Sequence, residues 1–240
     1  MTTLLVDLIS QTRIDFLDDT EGPPEAGNWS DLTITNALNQ AQREIARRCL
    51  LISDYTSEIC SLALAADVVT GLYPQSLSLS SKILRVRYVL FPIAASASKT
   101  RELYRRSTER LNALHGRWQW IGKTGRVESF VTDLQRNTLT FDHQPLYGGT
   151  VSIGVYRLPL VDMDLTDDAS APEIQEYDIE IIHGALKYLY SKGERREDKD
   201  TYDPIKEAKW RKLFEEDIIR INQDQAAMCP KETVVEPADW

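Results

Sequence analysis

Several stretches of this chain place reactive side chains at spacings that could do chemistry. Glu180-Ile181-Ile182-His183 has the Glu-x-x-His spacing by which one helix presents two ligands to a metal inside a bundle. A di-metal site needs a second such pair and further carboxylates, yet neither His115 nor His143 has a glutamate three residues before it. A hydrogen-bonded, partly buried histidine fits the same pattern. Asp162, Asp164, Thr166, Asp168 and Glu173 fall at positions 1, 3, 5, 7 and 12 of a calcium-loop spacing, where oxygen ligands can wrap one ion. Position 6, which wants glycine for the sharp turn, is Asp167, and Pro172 precedes the glutamate. The plainer reading is an acidic loop entering a helix N-terminus, where the macrodipole favours negative charge. Glu180, His183 and the 162–173 loop are together the material for a metal-dependent hydrolase, an alternative kept for testing.

Gly122-Lys123-Thr124 ends as a phosphate-binding loop does, but that loop needs glycine, four residues, then Gly-Lys. Gly116 is separated from Gly122 by five residues, Trp118 and Trp120 among them, so an ordinary turn is expected. No serine lies in a Gly-x-Ser-x-Gly elbow, and only three histidines could act as general bases. Carboxylate pairs are too frequent in so acidic a chain for one to be singled out. No catalytic residue, metal site or cofactor is therefore assigned, and a non-enzymatic protein is expected.

One basic cluster remains. Arg101, Arg105, Arg106 and Arg110, with Lys99, Arg117, Lys123 and Arg126 around them, are interleaved with Tyr104, Trp118 and Trp120. Cations neutralise phosphates and aromatics stack on bases, so a nucleic-acid-binding module using the 99–126 region is one reading. A docking surface for an acidic neighbour, including another copy of the chain, is a second. A solvated helical face is the third.

The elements that must carry these residues follow from periodicity. Leu5, Leu8, Ile9, Thr12 and Phe16 recur at helical spacing and predict a helix over about 3–18, ended by the acidic Gly-Pro stretch from Asp18 to Gly27. Ser30 is a plausible N-cap for a second helix with Ile34, Leu38, Ala41, Ile45 and Cys49 on one stripe. Short alternating runs near 59–64, 82–91, 126–132, 137–142 and 150–157, separated by turn residues, predict an antiparallel sheet region. Thr100 to Leu114, charged with few apolar positions, reads as an exposed helix. A helix of about 174–191 is apolar on two faces, and a last helix is expected to bury Ile205, Ala208, Leu213, Phe214, Ile218 and Ile221. From Cys229 the chain has two prolines and no periodicity, and Val234, Val235 and Trp240 mark it as an extended arm.

The expected fold is therefore α+β: an antiparallel helical bundle formed by N- and C-terminal helices, an inserted antiparallel β domain and an extended C-terminal arm. The divisions are 1–50 for the first bundle helices, 51–160 for the β-rich region with its charged helix at about 100–114, 161–228 for the last bundle helices and 229–240 for the arm. At 240 residues and 42% hydrophobic content the chain can bury a sizeable core. With 28 basic and 37 acidic side chains, a charge of −9 and a pI near 5.0, it should not grip nucleic acid over a broad surface. Three cysteines without CxxC spacing suit a reducing compartment, and no apolar stretch reaches the ~20 residues of a membrane span. The Asn28-Trp29-Ser30 sequon then has no secretory route to serve it.

The order of several segments resembles the head-to-tail adaptor (connector) proteins of tailed bacteriophages. They are Leu38-Asn39-Gln40-Ala41-Gln42-Arg43-Glu44-Ile45-Ala46-Arg47, Ile83-Leu84-Arg85-Val86-Arg87-Tyr88, Leu139-Thr140-Phe141-Asp142 with Pro145 and Gly148-Gly149-Thr150, Val155-Tyr156-Arg157-Leu158-Pro159, Pro172-Glu173-Ile174 and Tyr188-Leu189-Tyr190 before an acidic linker and long last helix. The similarity covers roughly 30–225. It implies a virion protein at the head–tail junction, assembled in the host cytoplasm. Copies would form a ring, commonly of twelve, between the portal and the tail or nozzle, with DNA passing through the lumen without specific binding and no membrane involved. The family brings no catalytic residues. On this reading Arg101, Arg105, Arg106, Arg110, Trp118, Trp120, Val234, Val235 and Trp240 are the candidate partner contacts, since buried aromatic anchors carry much of an interface's energy.

Overall fold

The computed structural model of the chain describes residues 3–17, 29–93, 99–116, 124–192, 195–196, 199–200 and 203–228. In chain order the helices are α1 (Leu5–Gln11), α2 (Asp31–Cys49), α3 (Thr108–His115), α4 (Asp178–Lys192) and α5 (Pro204–Met228), and a π-helical turn, Thr12–Leu17, extends α1. The strands are β1 (Ser53–Asp54), β2 (Ser61–Leu64), β3 (Ser76–Ser78), β4 (Ile83–Pro92), β5 (Thr100–Glu102), β6 (Tyr104–Arg105), β7 (Thr124–Gly125), β8 (Ser129–Val131), β9 (Thr138–Phe141), β10 (Gln144–Pro145), β11 (Gly149–Arg157), β12 (Arg195–Arg196) and β13 (Lys199–Asp200). The protein is mixed α+β, with open, mostly antiparallel sheets. It divides into a helical unit, residues 1–49 and 159–240, and a β unit, residues 50–158.

In the helical unit α2 starts where a cap is available: Ser30 Oγ accepts a hydrogen bond from the Thr33 N–H at 3.1 Å, and Asp31 lies in the first turn. Arg47 and Arg48 occupy its last turn, and Leu50 turns the chain away with φ +52°. Ile34, Leu38, Ala41, Ile45 and Cys49 are buried as their spacing requires, and α2 lies against α4 and α5. Gly184 permits that approach. A Cβ there would sit 2.7 Å from the Phe214 ring of α5 and 2.8 Å from the Ala41 Cβ of α2, closer than side chains pack. The buried stripe of α5 is Trp210, Phe214, Asp217, Ile218 and Ile221, which keeps Phe214, Ile218 and Ile221 of the expected one but not its start: Ile205 is 82% exposed and Ala208 is exposed too. Trp210 is the larger anchor, and the face that buries it turns Ile205 outward. The first helix also departs from a regular helix. Thr12 Oγ1 donates to the Leu8 carbonyl at 2.6 Å where α1 passes into the π turn, and that turn sets Phe16 edge-on to His183 and Trp210.

In the β unit, β11 and β4 are the long central strands of a five-stranded antiparallel sheet of order β1-β11-β4-β5, with β2 pairing the first half of β11. A second sheet runs β3-β9-β8-β6, in which β6 lies parallel to β8, and β7 also pairs parallel with β10. The antiparallel expectation thus misses two short pairings. Phe91, Phe130, Phe141, Val89, Val151 and Ile153 fill the core, with Phe91 and Phe141 edge to face at 5.2 Å.

Candidate partner interface

The basic cluster is built differently from a single exposed helix. Backbone groups from 103 to 106 are committed to strands: the Leu103 N–H donates to Val89 O at 2.9 Å, Tyr104 to Glu128 O at 3.0 Å and Arg106 to Phe130 O at 3.0 Å. Leu103, 3% exposed, is drawn into the β core, and this pull outweighs the helical periodicity of residues 100–107. The helix begins only at Thr108. Ser107 Oγ accepts from the Arg110 N–H at 3.2 Å, and Asp133 accepts from both the N–H and the hydroxyl of Thr108, at 3.0 and 2.6 Å. Burial by itself would raise the Asp133 pKa, but these Thr108 bonds outweigh it and hold the carboxyl below its ordinary value.

The four arginines consequently do not share a face. Arg101 is half-buried, and its guanidinium donates to the Val127 carbonyl, a structural role. Arg105 and Arg110 are exposed and Arg106 partly so, beside Tyr104, which is 72% exposed. Among the described residues none of Arg105, Arg106 and Arg110 has a salt bridge, and Arg126 approaches Glu128 only to 3.8 Å. Trp118, Trp120, Val234, Val235 and Trp240 lie outside the described residues.

The two metal-like motifs are occupied by protein partners. Within the helical unit Glu180 takes Arg220 at 2.6 Å, His183 Nδ1 lies 2.7 Å from Asp217 Oδ2, and Arg220 reaches Asp217 at 3.0 Å. The 162–173 carboxylates do not converge. Asp162 pairs with Arg43, Asp164 accepts the Thr166 N–H at 2.9 Å, Asp167 accepts the Ala169 N–H at 3.0 Å, and Glu173 accepts the Leu160 N–H at 3.0 Å. Among the described residues no group of three or more His, Cys, Asp and Glu side chains could hold a metal ion.

A polar clamp that the motifs did not point to joins three helices. Glu44 of α2 accepts from Lys187 Nζ at 2.7 Å and from the Tyr188 hydroxyl, both on α4, while Arg48 forks onto Glu215 of α5 at 2.7 and 2.5 Å. Burial acting alone would raise the Glu44 pKa, yet donation from Lys187, Tyr188 and Arg48 leaves it lowered. Tyr188 is pushed up, by burial and then by the Glu44 carboxylate. Only the Glu44–Arg48 spacing of four residues was visible as a sequence signal. Next to this clamp, Trp29, Asn36, Ala37, Arg43, Met163 and Leu189 line part of a cleft of about 540 Å³.

Among the described residues the arrangement offers exposed basic surface in the β unit and a cross-helix polar clamp in the helical unit. A family model described as SU10 adaptor protein matches residues 3–234, across both units. No curated protein matches the chain.

Proposed function

The chain belongs to the SU10 adaptor protein family, a phage head-to-tail adaptor family, and from that membership we propose that it forms a ring between the portal and the tail or nozzle. The coarse role is that of a structural adaptor protein of a phage. The finer reading is that copies, twelve by the family's habit, enclose a lumen through which DNA passes. The observation that carries it is the family match over residues 3–234.

Two physical features support the finer reading. A net charge of −9 disfavours adhesion of a polyanion to the wall of a conduit. The charged clamp among α2, α4 and α5 and the Gly184 contact make a stiff helical unit, and stiffness suits a part that transmits load between head and tail. Arg105, Arg106, Arg110, Trp118 and Trp120 are proposed as partner contacts, and the 229–240 segment with Val234, Val235 and Trp240 as an arm that enters a neighbour's groove. The helices are proposed to act together as an antiparallel bundle carrying the β unit. Among the described residues no helix is long and apolar enough to cross a membrane. The site of action is proposed to be the virion's head–tail junction, with assembly in the host cytoplasm.

The test is imaging of the purified chain with and without the cognate portal, together with particles made by phage lacking the chain. Rings on the portal, and filled heads without attached tails in the deletion, are expected. Infectious tailed particles without the chain would overturn the proposal.

A further inference from the structure

Charge is divided unequally between the two units. Residues 50–158 hold 13 Lys and Arg against 8 Asp and Glu, formally +5. Residues 1–49 and 159–240 hold 15 against 29, formally −14. The net −9 hides two units of opposite formal sign. In the helical unit, residues 159–186 contain eight Asp and Glu and no Lys or Arg. Asp164, Asp167 and Asp168 are exposed there.

Three arginines of the β unit that make no salt bridge among the described residues, Arg105, Arg106 and Arg110, follow one another along β6 and the start of α3. Among the described residues β6 ends its sheet, paired with β8 on one side and with no strand laddered on the other. It presents Tyr104 and Arg105 to solvent, and Arg110 follows in the first turn of α3. An edge strand with an exposed aromatic and unpaired arginines is suited to be covered by an acidic partner.

We infer that this edge docks on the acidic 159–186 surface of the helical unit of a second copy, an inference that rests on the self-assembly proposed above. The contact joins two different surfaces, so it repeats around a ring; a contact between identical surfaces would close at a dimer and set like charges together. Each added copy brings one basic edge and one acidic surface. Nucleic acid is the competing polyanion, and it would have to approach a chain whose other unit carries −14. The copy is the better partner for this edge.

The test uses the full chain in its oligomer, formed alone or on the portal. A photo-crosslinking benzoylphenylalanine at Tyr104, in a mixture of ¹⁴N- and ¹⁵N-labelled copies, should yield mixed-isotope crosslinks to peptides from 159–186. Arg105→Glu, Arg106→Glu and Arg110→Glu together should weaken self-association at least about tenfold, and Asp164→Lys, Asp167→Lys and Asp168→Lys should do the same. A chain with both sets should recover to within about threefold, because the charges are exchanged. Circular dichroism checks folding, and Arg→Gln versions stand in if a reversed chain fails to fold. Unchanged assembly of the reversed chain, or crosslinks elsewhere, would overturn the docking and leave the adaptor role intact. Loss of salt-dependent DNA binding with unchanged assembly would reassign the edge to nucleic acid. A wild-type chain that joins neither itself nor the portal would overturn both proposals.

Discussion

Nδ1 of His183 stands 2.7 Å from Oδ2 of Asp217, so the histidine that looked most like a metal ligand is spent joining α4 to α5. Asp217 also receives Arg220, and Phe16 and Trp210 cover the imidazole with their rings.

Removing Asp217 leaves the His183 ring nitrogen without its partner in a mostly buried place, while the exposed Arg220 keeps Glu180. Asp217→Ala is expected to lower stability by about 1–3 kcal/mol, read from urea unfolding followed by circular dichroism. His183→Ala should leave the metal content of the purified protein unchanged. A stoichiometric ion lost with His183 would contradict the pairing described above.

Gly184 is a packing requirement of its helix. Gly184→Ala forces a methyl against Phe214 and Ala41 and should cost about 1–3 kcal/mol despite the better helix propensity of alanine. Pairing it with Phe214→Leu should recover part of that loss. Additive losses in the double mutant would show that the ring is not the obstacle.

Acid should act on the β unit through Asp54. Burial alone would raise its pKa, but hydrogen bonds from Ser57, Thr56 and Arg157 prevail and hold it well below the usual carboxylate range. A carboxyl that is more acidic folded than unfolded contributes fully above the unfolded value, about 4, and loses that contribution as pH falls toward the folded one. Urea midpoints of the β unit should therefore decline as pH drops below about 5. Asp54→Asn should flatten that decline and cost about 3–5 kcal/mol at neutral pH, since Arg157 stays buried without the carboxylate. An equally steep decline in Asp54→Asn would assign the acid response elsewhere.

Among the described residues Cys49 in the helical unit and Cys60 in the β unit are buried, free thiols. Burial pushes the Cys49 thiol up to about 11, and Cys60 is also raised, by burial first. Neither should react with iodoacetamide at pH 8 in the native protein, and peptide mapping across a urea series would follow the unfolding of each unit separately. Rapid native labelling of Cys49 would be incompatible with its packing beneath Ile218.

Helix identity was legible wherever one chemical demand dominated. The stripe Ile34, Leu38, Ala41, Ile45 and Cys49 with Ser30 before it leaves α2 little choice, because the apolar face and the cap agree. The long strands β4 and β11 were legible for the same reason. At residues 100–107 the local pattern pointed to helix, while Leu103 and the open backbone edge of Glu128–Phe130, distant in sequence, drew the segment into strands. Ile205 and Trp210 both lie at helical spacings in α5, and only the packing of Phe16, His183 and Phe214 decides which is covered.

By itself the sequence determined the α+β composition, the absence of a complete catalytic motif, the family and the total charge, because these depend on residue types and their local order. Tertiary structure decided where each charge ends up. It seated Arg101 against a carbonyl, exposed Arg105 and Arg110, and matched His183 to Asp217 and Glu44 to Lys187. A side chain's partner depends on what folding brings within a few ångströms, and here those groups lie between 26 and 143 residues away.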